Sequence, residues 1–430
     1  MKIRVNNIIL LIFVVAPFLG IFKMLIGVGY APILVDIVAF LLLLFFIFQR
    51  GFPLNVYVLM LLLFICLGML LTFVPYDADL FFKFMGFRSS VFYMIFALLP
   101  FYQKIDDDYV NMFVKVNMVT GIVVFIYAIR QYIYPLGFEL TYSMQEGVGS
   151  HFYGDTYERE ENRFRIFGSM ITSTHLASYA LFIFFLSFLN FERKFVRKSL
   201  FISGLCLSLI VLFITYSRTS LIGMVAGLVF YMIIFWKNSK GLEVVYGGLY
   251  LIFIGVVAGV VVLLLWQNIP MLADRFSTLS NIEEISSFQS RLIIWGIRIE
   301  QIGANWLGYG TGIAGFHGGE LTIMPVDSQF LKMFIEMGWV GGVLFIIILM
   351  VPFFVRNRLP RKTVYSAFVN GGGAFLFAII VVMGASQILE GFPIAMYFWY
   401  MSGLIVVLKK QNMNKRVFES VVSVKSSRTI

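Results

Sequence analysis

The chain is poor in charge. Only 13% of its 430 residues are Asp, Glu, Lys or Arg, about half the roughly 25% carried by soluble domains, which excludes an ordinary water-soluble globule. Cysteine is scarce too: Cys66 and Cys206 both fall inside apolar runs, which excludes a disulfide framework as the source of stability. There are three histidines, and no Cys/His/Asp/Glu set has metal-ligand spacing, so no structural metal is expected. Asp77 and Asp79, after Pro75, read as a solvated turn rather than a metal clamp. No small-residue cleavage site follows the basic start Met1–Asn7, so the first helix reads as an uncleaved insertion signal. Internal repeats and low-complexity linkers are also missing.

What is present is hydrophobic length. Sixty per cent of the residues are hydrophobic, 48 are Phe, and the mean hydropathy is +0.90. At ~20 apolar residues per crossing, the sequence predicts an all-α polytopic membrane protein of about twelve transmembrane helices. They are placed at 8–26, 29–48, 56–75, 89–103, 110–134, 166–190, 199–216, 219–236, 245–265, 328–355, 363–389 and 393–408. Residues 1–430 form a single integral membrane domain, with a first outer loop at 135–165 and a large outer loop at 266–327. The loops alternating to the other side, with both tails, hold eleven lysines and nine arginines. The positive-inside rule puts these loops and both termini in the cytoplasm. The net charge of +10 comes from such flanking residues, and it implies no nucleic-acid partner.

The two outer loops carry six arginines and no lysine. A guanidinium forks two donors onto a phosphate and keeps its charge when partly desolvated, which suits a phosphate or diphosphate site. Arg163 and Arg165 end the first loop, and Arg291 and Arg298 lie in the second. Arg218 sits in the tight turn between the seventh and eighth spans, with no acid beside it in sequence. Arg130 lies near the outer end of the fifth span. Arg159 and Arg275 pair more naturally with the loops' own acids. Residues 287–303 predict an amphipathic helix in which Arg291 and Arg298, seven residues apart, share a face with Trp295. The Gly308–Gly312 stretch GYGTG follows no strand, so it reads as a flexible turn rather than a nucleotide loop, and no cofactor is expected. Asp327 opens the tenth span, where it can act as a general base on a hydroxyl or cap the helix. Glu336, deeper in that span, can pair with an arginine or with Lys332, its i−4 neighbour. His175 lies within the sixth span among small polar residues, and Asp36 is an intramembrane acid without an evident partner in sequence.

Three stretches resemble the O-antigen polymerase/O-antigen ligase superfamily of bacterial polysaccharide enzymes: RFRIFGSMITSTHLASYAL at 163–181, SRTSLIGMVAGLVF at 217–230, and SRLIIWGIRIEQIGANWLGYGTG at 290–312 continuing to DSQFLKMFIEMGWVGG at 327–342. The resemblance implies a metal-independent, C-type-fold membrane glycosyltransferase of the bacterial plasma (inner) membrane. Its substrate would be a polyprenyl-diphosphate-linked oligosaccharide on the outer leaflet, and its partners would be membrane lipid and a chain-length regulator. Carried over, Arg218 and Arg291 contact the diphosphate. Arg163, Arg165 and Arg298 support them, and His175 and Trp295 join the substrate-binding set. Asp327-Ser328 stands where family ligases commonly have His-Asn, a departure that favours the polymerase branch, with Asp327 orienting or deprotonating the acceptor. The alternatives are ligation to another acceptor and a lipid-linked-sugar flippase or transporter; the lack of repeat symmetry between the halves counts against transport.

Overall fold

The computed structural model describes residues 5–26, 31–74, 80–142, 157–158, 163–170, 172–192, 194–238, 286–315, 326–356 and 363–426. In chain order the α-helices are α1 (Val5–Val15), α2 (Leu19–Ile26), α3 (Ala31–Arg50), α4 (Val56–Thr72), α5 (Leu80–Ser90), α6 (Asp107–Ile133), α7 (Ser173–Glu192), α8 (Lys198–Ile214), α9 (Arg218–Asn238), α10 (Ser286–Ala304), α11 (Gln329–Arg356), α12 (Val364–Met383) and α13 (Ile394–Ser426). Between α6 and α7 two two-residue strands, β1 (Tyr157–Glu158) and β2 (Arg163–Phe164), pair antiparallel. Among the described residues seven helical segments are long and apolar enough to cross a membrane, and α4, α8 and the first part of α9 are shorter apolar helices. The protein is therefore a polytopic membrane protein. The expected span at 245–265 lies outside the described residues.

Three boundaries differ most from the sequence reading: the sixth span, expected from 166, begins at Ser173, the eleventh, expected to 389, ends at Met383, and the fourth starts earlier. The fourth span, expected at 89–103, runs from Leu80 to Tyr102 as α5 followed by the 3-10 turns Phe92–Ala97 and Leu99–Tyr102. Hydropathy hid its first turns because Lys83 and Arg88 lie in them. Both cations have internal partners: Lys83 Nζ donates to the Val74 carbonyl at 2.7 Å, and Arg88 pairs with Asp36, its Nε donating to Oδ2 at 2.7 Å. Asp36 thereby has its partner, and a charged pair inside an apolar bundle is tolerated because each member neutralises the other.

Lipid tails offer helices no hydrophobic reason to associate, so close packing and internal hydrogen bonds must hold such a bundle. The most extensive helix contact is α9 on α12. It is made close by Gly223 and Gly227, where an added Cβ would fall 2.9 Å from the carbonyls of Ala378 and Ala374 respectively. At the centre Phe13, Phe113, Phe182, Tyr397 and Tyr400 form a ring cluster with centroids 4.5 to 6.5 Å apart. The phenol groups there are used as bridges: Tyr397 donates to the Phe13 carbonyl at 2.8 Å, and Tyr57 and Ser402 share a 2.6 Å bond between α4 and α13.

Candidate functional site

The tenth span is broken, and the break builds the site. Inside α11, Gly338 has φ +67° and ψ −172°, a conformation that side chains disfavour. The interruption leaves backbone groups for the turn after α10. Tyr309 N–H donates to the Ile335 carbonyl at 2.9 Å and Gly310 N–H to that of Glu336 at 3.0 Å, while Trp339 N–H donates to the Trp306 carbonyl at 2.9 Å. The glycine turn 308–312 is consequently pinned rather than loose: a Cβ on Gly308 would strike Gly338, and one on Gly312 would meet Phe82 of α5. Thr311 adds bonds to the Lys83 carbonyl at 3.1 Å and to the Thr72 hydroxyl at 2.9 Å.

Beneath this turn lies an enclosed ionic group. Glu336 Oε1 accepts the N–H groups of Gly312 and Ala314, both at 3.1 Å, and stands 3.7 Å from Lys332 Nζ. Lys332 also pairs with Glu390 and donates to Ser90 Oγ at 2.6 Å. Lys332 and Glu336 are wholly buried. Of the two partners open to Glu336, the structure selects Lys332. Glu390, in the 3-10 turn Ile388–Glu390 between α12 and α13, had no signal in the sequence. Gln387, just before that turn, donates from Nε2 to the carbonyls of Ala314 (2.7 Å) and Val326, which fixes the chain one residue before Asp327.

The helix α10 forms over Ser286–Ala304, as its pattern predicts. Arg291, Trp295, Arg298 and Gln301 line its half-buried face above buried Ile302, while Ile293, Ile297 and Ile299 are exposed. Trp295 packs on the small core of Ile302, Ile313, Ala314, Val326 and Ile335. That core places α10 over the start of α11, and Arg291 Nε donates to Asp327 Oδ2 at 2.7 Å, the two side chains 34% and 30% exposed. Arg298 Nη1 donates to Gln301 Oε1 at 2.7 Å, and burial lowers its proton affinity.

Arg218 opens α9 after a turn in which Tyr216 has φ +55°. Such strain in a bulky residue costs about 1–3 kcal/mol and clusters at functional sites. The turn is secured by Ser217 Oγ, 2.8 Å from Ser220 Oγ, and by Leu221 N–H donating to the Ser217 carbonyl at 3.1 Å. Arg165 and Arg291 are the like charges that act on Arg218. Arg218, itself half-buried, is thus within electrostatic reach of one guanidinium on the approach to α7 and of another on α10, the latter ion-paired to Asp327. Like charges held together repel, and an anion forked between them relieves that repulsion.

Other candidates fall elsewhere. Arg163 sits in β2 with Glu158 as its register partner, its side chain outside the described residues, as are Arg159 and Arg275. His175 is packed: Nδ1 lies 2.9 Å from Thr172 Oγ1, and a Cβ on Gly391 would run into the ring, so the contacts it shows among the described residues are with the helix start and the turn before α13. Arg130 is a clamp, reaching Glu139 with Nη1 at 2.8 Å and Nη2 at 2.6 Å. Among the described residues no three His, Cys, Asp or Glu are placed to hold a metal ion.

A search of curated proteins returns no match. A family model described as O-Antigen ligase matches residues 202–346, about a third of the chain, from α8 into α11 past its break at Gly338. The matched segment contains Arg218, Arg291, Arg298 and Asp327, whereas Arg163, Arg165 and His175 precede it. The match supports, for the segment that carries Arg218, Arg291, Asp327 and the broken span, the O-antigen ligase/polymerase superfamily that the sequence motifs resemble.

Proposed function

We propose that this chain is a polysaccharide repeat-unit polymerase: a glycosyltransferase that moves a growing glycan from polyprenyl diphosphate to a hydroxyl of the next lipid-linked repeat unit. The observation that carries the reading is the Arg291–Asp327 ion pair at the opening of the broken span, with Arg218 within electrostatic reach of Arg165 and Arg291. In the reaction the acceptor O–H gives its proton to the Asp327 carboxylate. The acceptor oxygen then forms the new bond to the sugar's anomeric carbon, and the bond from that carbon to the phosphate oxygen breaks. The diphosphate leaves with the electron pair, and arginines aimed at it stabilise the charge that develops. The Arg291–Asp327 ion pair links the two halves of this chemistry. A diphosphate that draws Arg291 to itself frees the carboxylate for the acceptor, so the base becomes available when the donor is in place.

Ligation to a different acceptor uses the same site, and the description of the matching family favours it as the second reading. The size-resolved glycan profile of a deletion strain separates the two. Loss of a polymerase leaves single repeat units, attached or carrier-bound, with the ladder gone. Loss of a ligase leaves long chains on the carrier. Arg218→Ala, at unchanged protein level, is expected to reduce long-chain polysaccharide by about 100-fold or more, the effect of removing one donor to a developing anion; a normal ladder from that variant refutes the assignment.

A further inference from the structure

Two residues past Asp327, Gln329 begins α11. Its side chain is wholly buried, and among the described residues neither its amide nitrogen nor its amide oxygen has a hydrogen-bond partner. Buried polar groups are nearly always paired, so each exception calls for a cause. Here it is not alone. Among the described residues Trp295 Nε1, on the α10 face that carries Arg291, is enclosed and without a hydrogen-bond partner, and so is Gln387 Oε1, whose own amide nitrogen is bonded to the Val326 carbonyl. Three separate elements thus bring unengaged polar atoms to the chain on either side of Asp327. Gln329 shares a helical face with Lys332 and Glu336 at spacings of three and seven. It begins that face, next to Asp327 and Ser328, whereas the two charged residues further along it are engaged with each other.

We infer that Gln329 is a specificity-determining residue that binds hydroxyl groups of the acceptor sugar and presents one of them to Asp327. This rests on the glycosyl-transfer reading above and deepens it. The chemistry of the group fixes the ligand class. A primary amide offers donors and an acceptor side by side, which matches neighbouring hydroxyls of a sugar. It carries no charge with which to hold a diphosphate, and the adjacent Asp327 carboxylate repels one. The three arginines take the anionic donor, and the amide with the indole N–H takes the neutral acceptor. Leaving such an amide unpaired in the apo protein weakens the fold, which is the recurrent signature of a group kept for function.

The test uses the full-length protein in lipid nanodiscs. The probe is the polyprenyl-diphosphate-linked repeat unit extracted from a strain lacking this chain. Gln329→Met, unbranched and of similar length, is compared with the native protein for thermal stability without substrate and for elongation against repeat-unit concentration. The expected result is a melting temperature equal to or above native, with KM for the acceptor unit raised about tenfold, the scale of one lost ligand hydrogen bond, and kcat within about twofold. Gln329→Asn retains the amide one methylene short and is expected to show a smaller KM shift. A lower melting temperature with native KM, for either variant, makes Gln329 structural and overturns the inference, as do native kinetics at native stability. If the native protein binds the unit but never lengthens it, the polymerase reading falls as well; if it lengthens chains and the Gln329 variants do so equally well, only this inference falls.

Discussion

Arg218 and Arg130 both stand at helix ends near the long loops, and their surroundings separate them. Arg130 forks onto Glu139, whose carboxylate is fully buried and also accepts the Leu136 N–H at 2.7 Å and the Tyr127 hydroxyl at 2.6 Å. Its work is to neutralise one acid. Removing it leaves a buried carboxylate uncompensated, so Arg130→Ala is expected to destabilise the protein by about 3 kcal/mol, read as a lower melting temperature, with elongation per folded molecule retained. Burial, and the like charges of Arg165 and Arg291, act on Arg218, and its loss is expected to act on chemistry rather than on folding. The absence of an acid beside Arg218 in sequence distinguished it from the loop arginines; nothing local marked Arg130, because Glu139 lies beyond the end of α6 and comes back only through the following turn.

At the scale of elements, the decisive piece is the break in α11. Gly338 has a positive φ, and a Cβ there would collide with the Trp306 carbonyl. Gly338→Ala therefore both strains the backbone and pushes the 306–312 turn off its docking bonds, which carries α10 and Arg291 away from Asp327. The expected outcome is loss of polymer with a drop in stability of about 1–3 kcal/mol, checked by melting temperature together with glycan length. Full activity at native stability would show that the turn does not set the site. The sequence displayed the Glu336-Met337-Gly338 run and the glycines at 308–312 as separate features. Their meaning is mutual: Glu336 holds the amides of Gly312 and Ala314, and Gly338 makes room for Trp306. A turn-rich composition reads as flexible until the partner that satisfies its backbone is known. The amphipathic helix was legible because its face repeats every three to four residues, a local property.

For the whole molecule, the alternation of basic loops predicts which ends lie on the same side. A single cysteine at Gly296, whose Cα faces open space on α10, in a protein with Cys66 and Cys206 replaced, is expected to react with a membrane-impermeant maleimide added to intact cells. One at Lys410 is expected to react only after permeabilisation, and the reverse pattern would invert the topology and remove the site from the outer leaflet. Hydropathy and charge determined by themselves that the chain is a membrane protein, where most spans run, and that the long loops concentrate arginine, because each is a property of contiguous residues in a solvent of known thickness. The tertiary structure decided the rest: that Asp36 belongs to Arg88, that Lys332 is shared by Glu336 and Glu390, and that Arg291 pairs with Asp327. Most of those partners are far apart in sequence, and composition cannot tell one pairing from another. Only the packing that brings distant helices together draws that distinction.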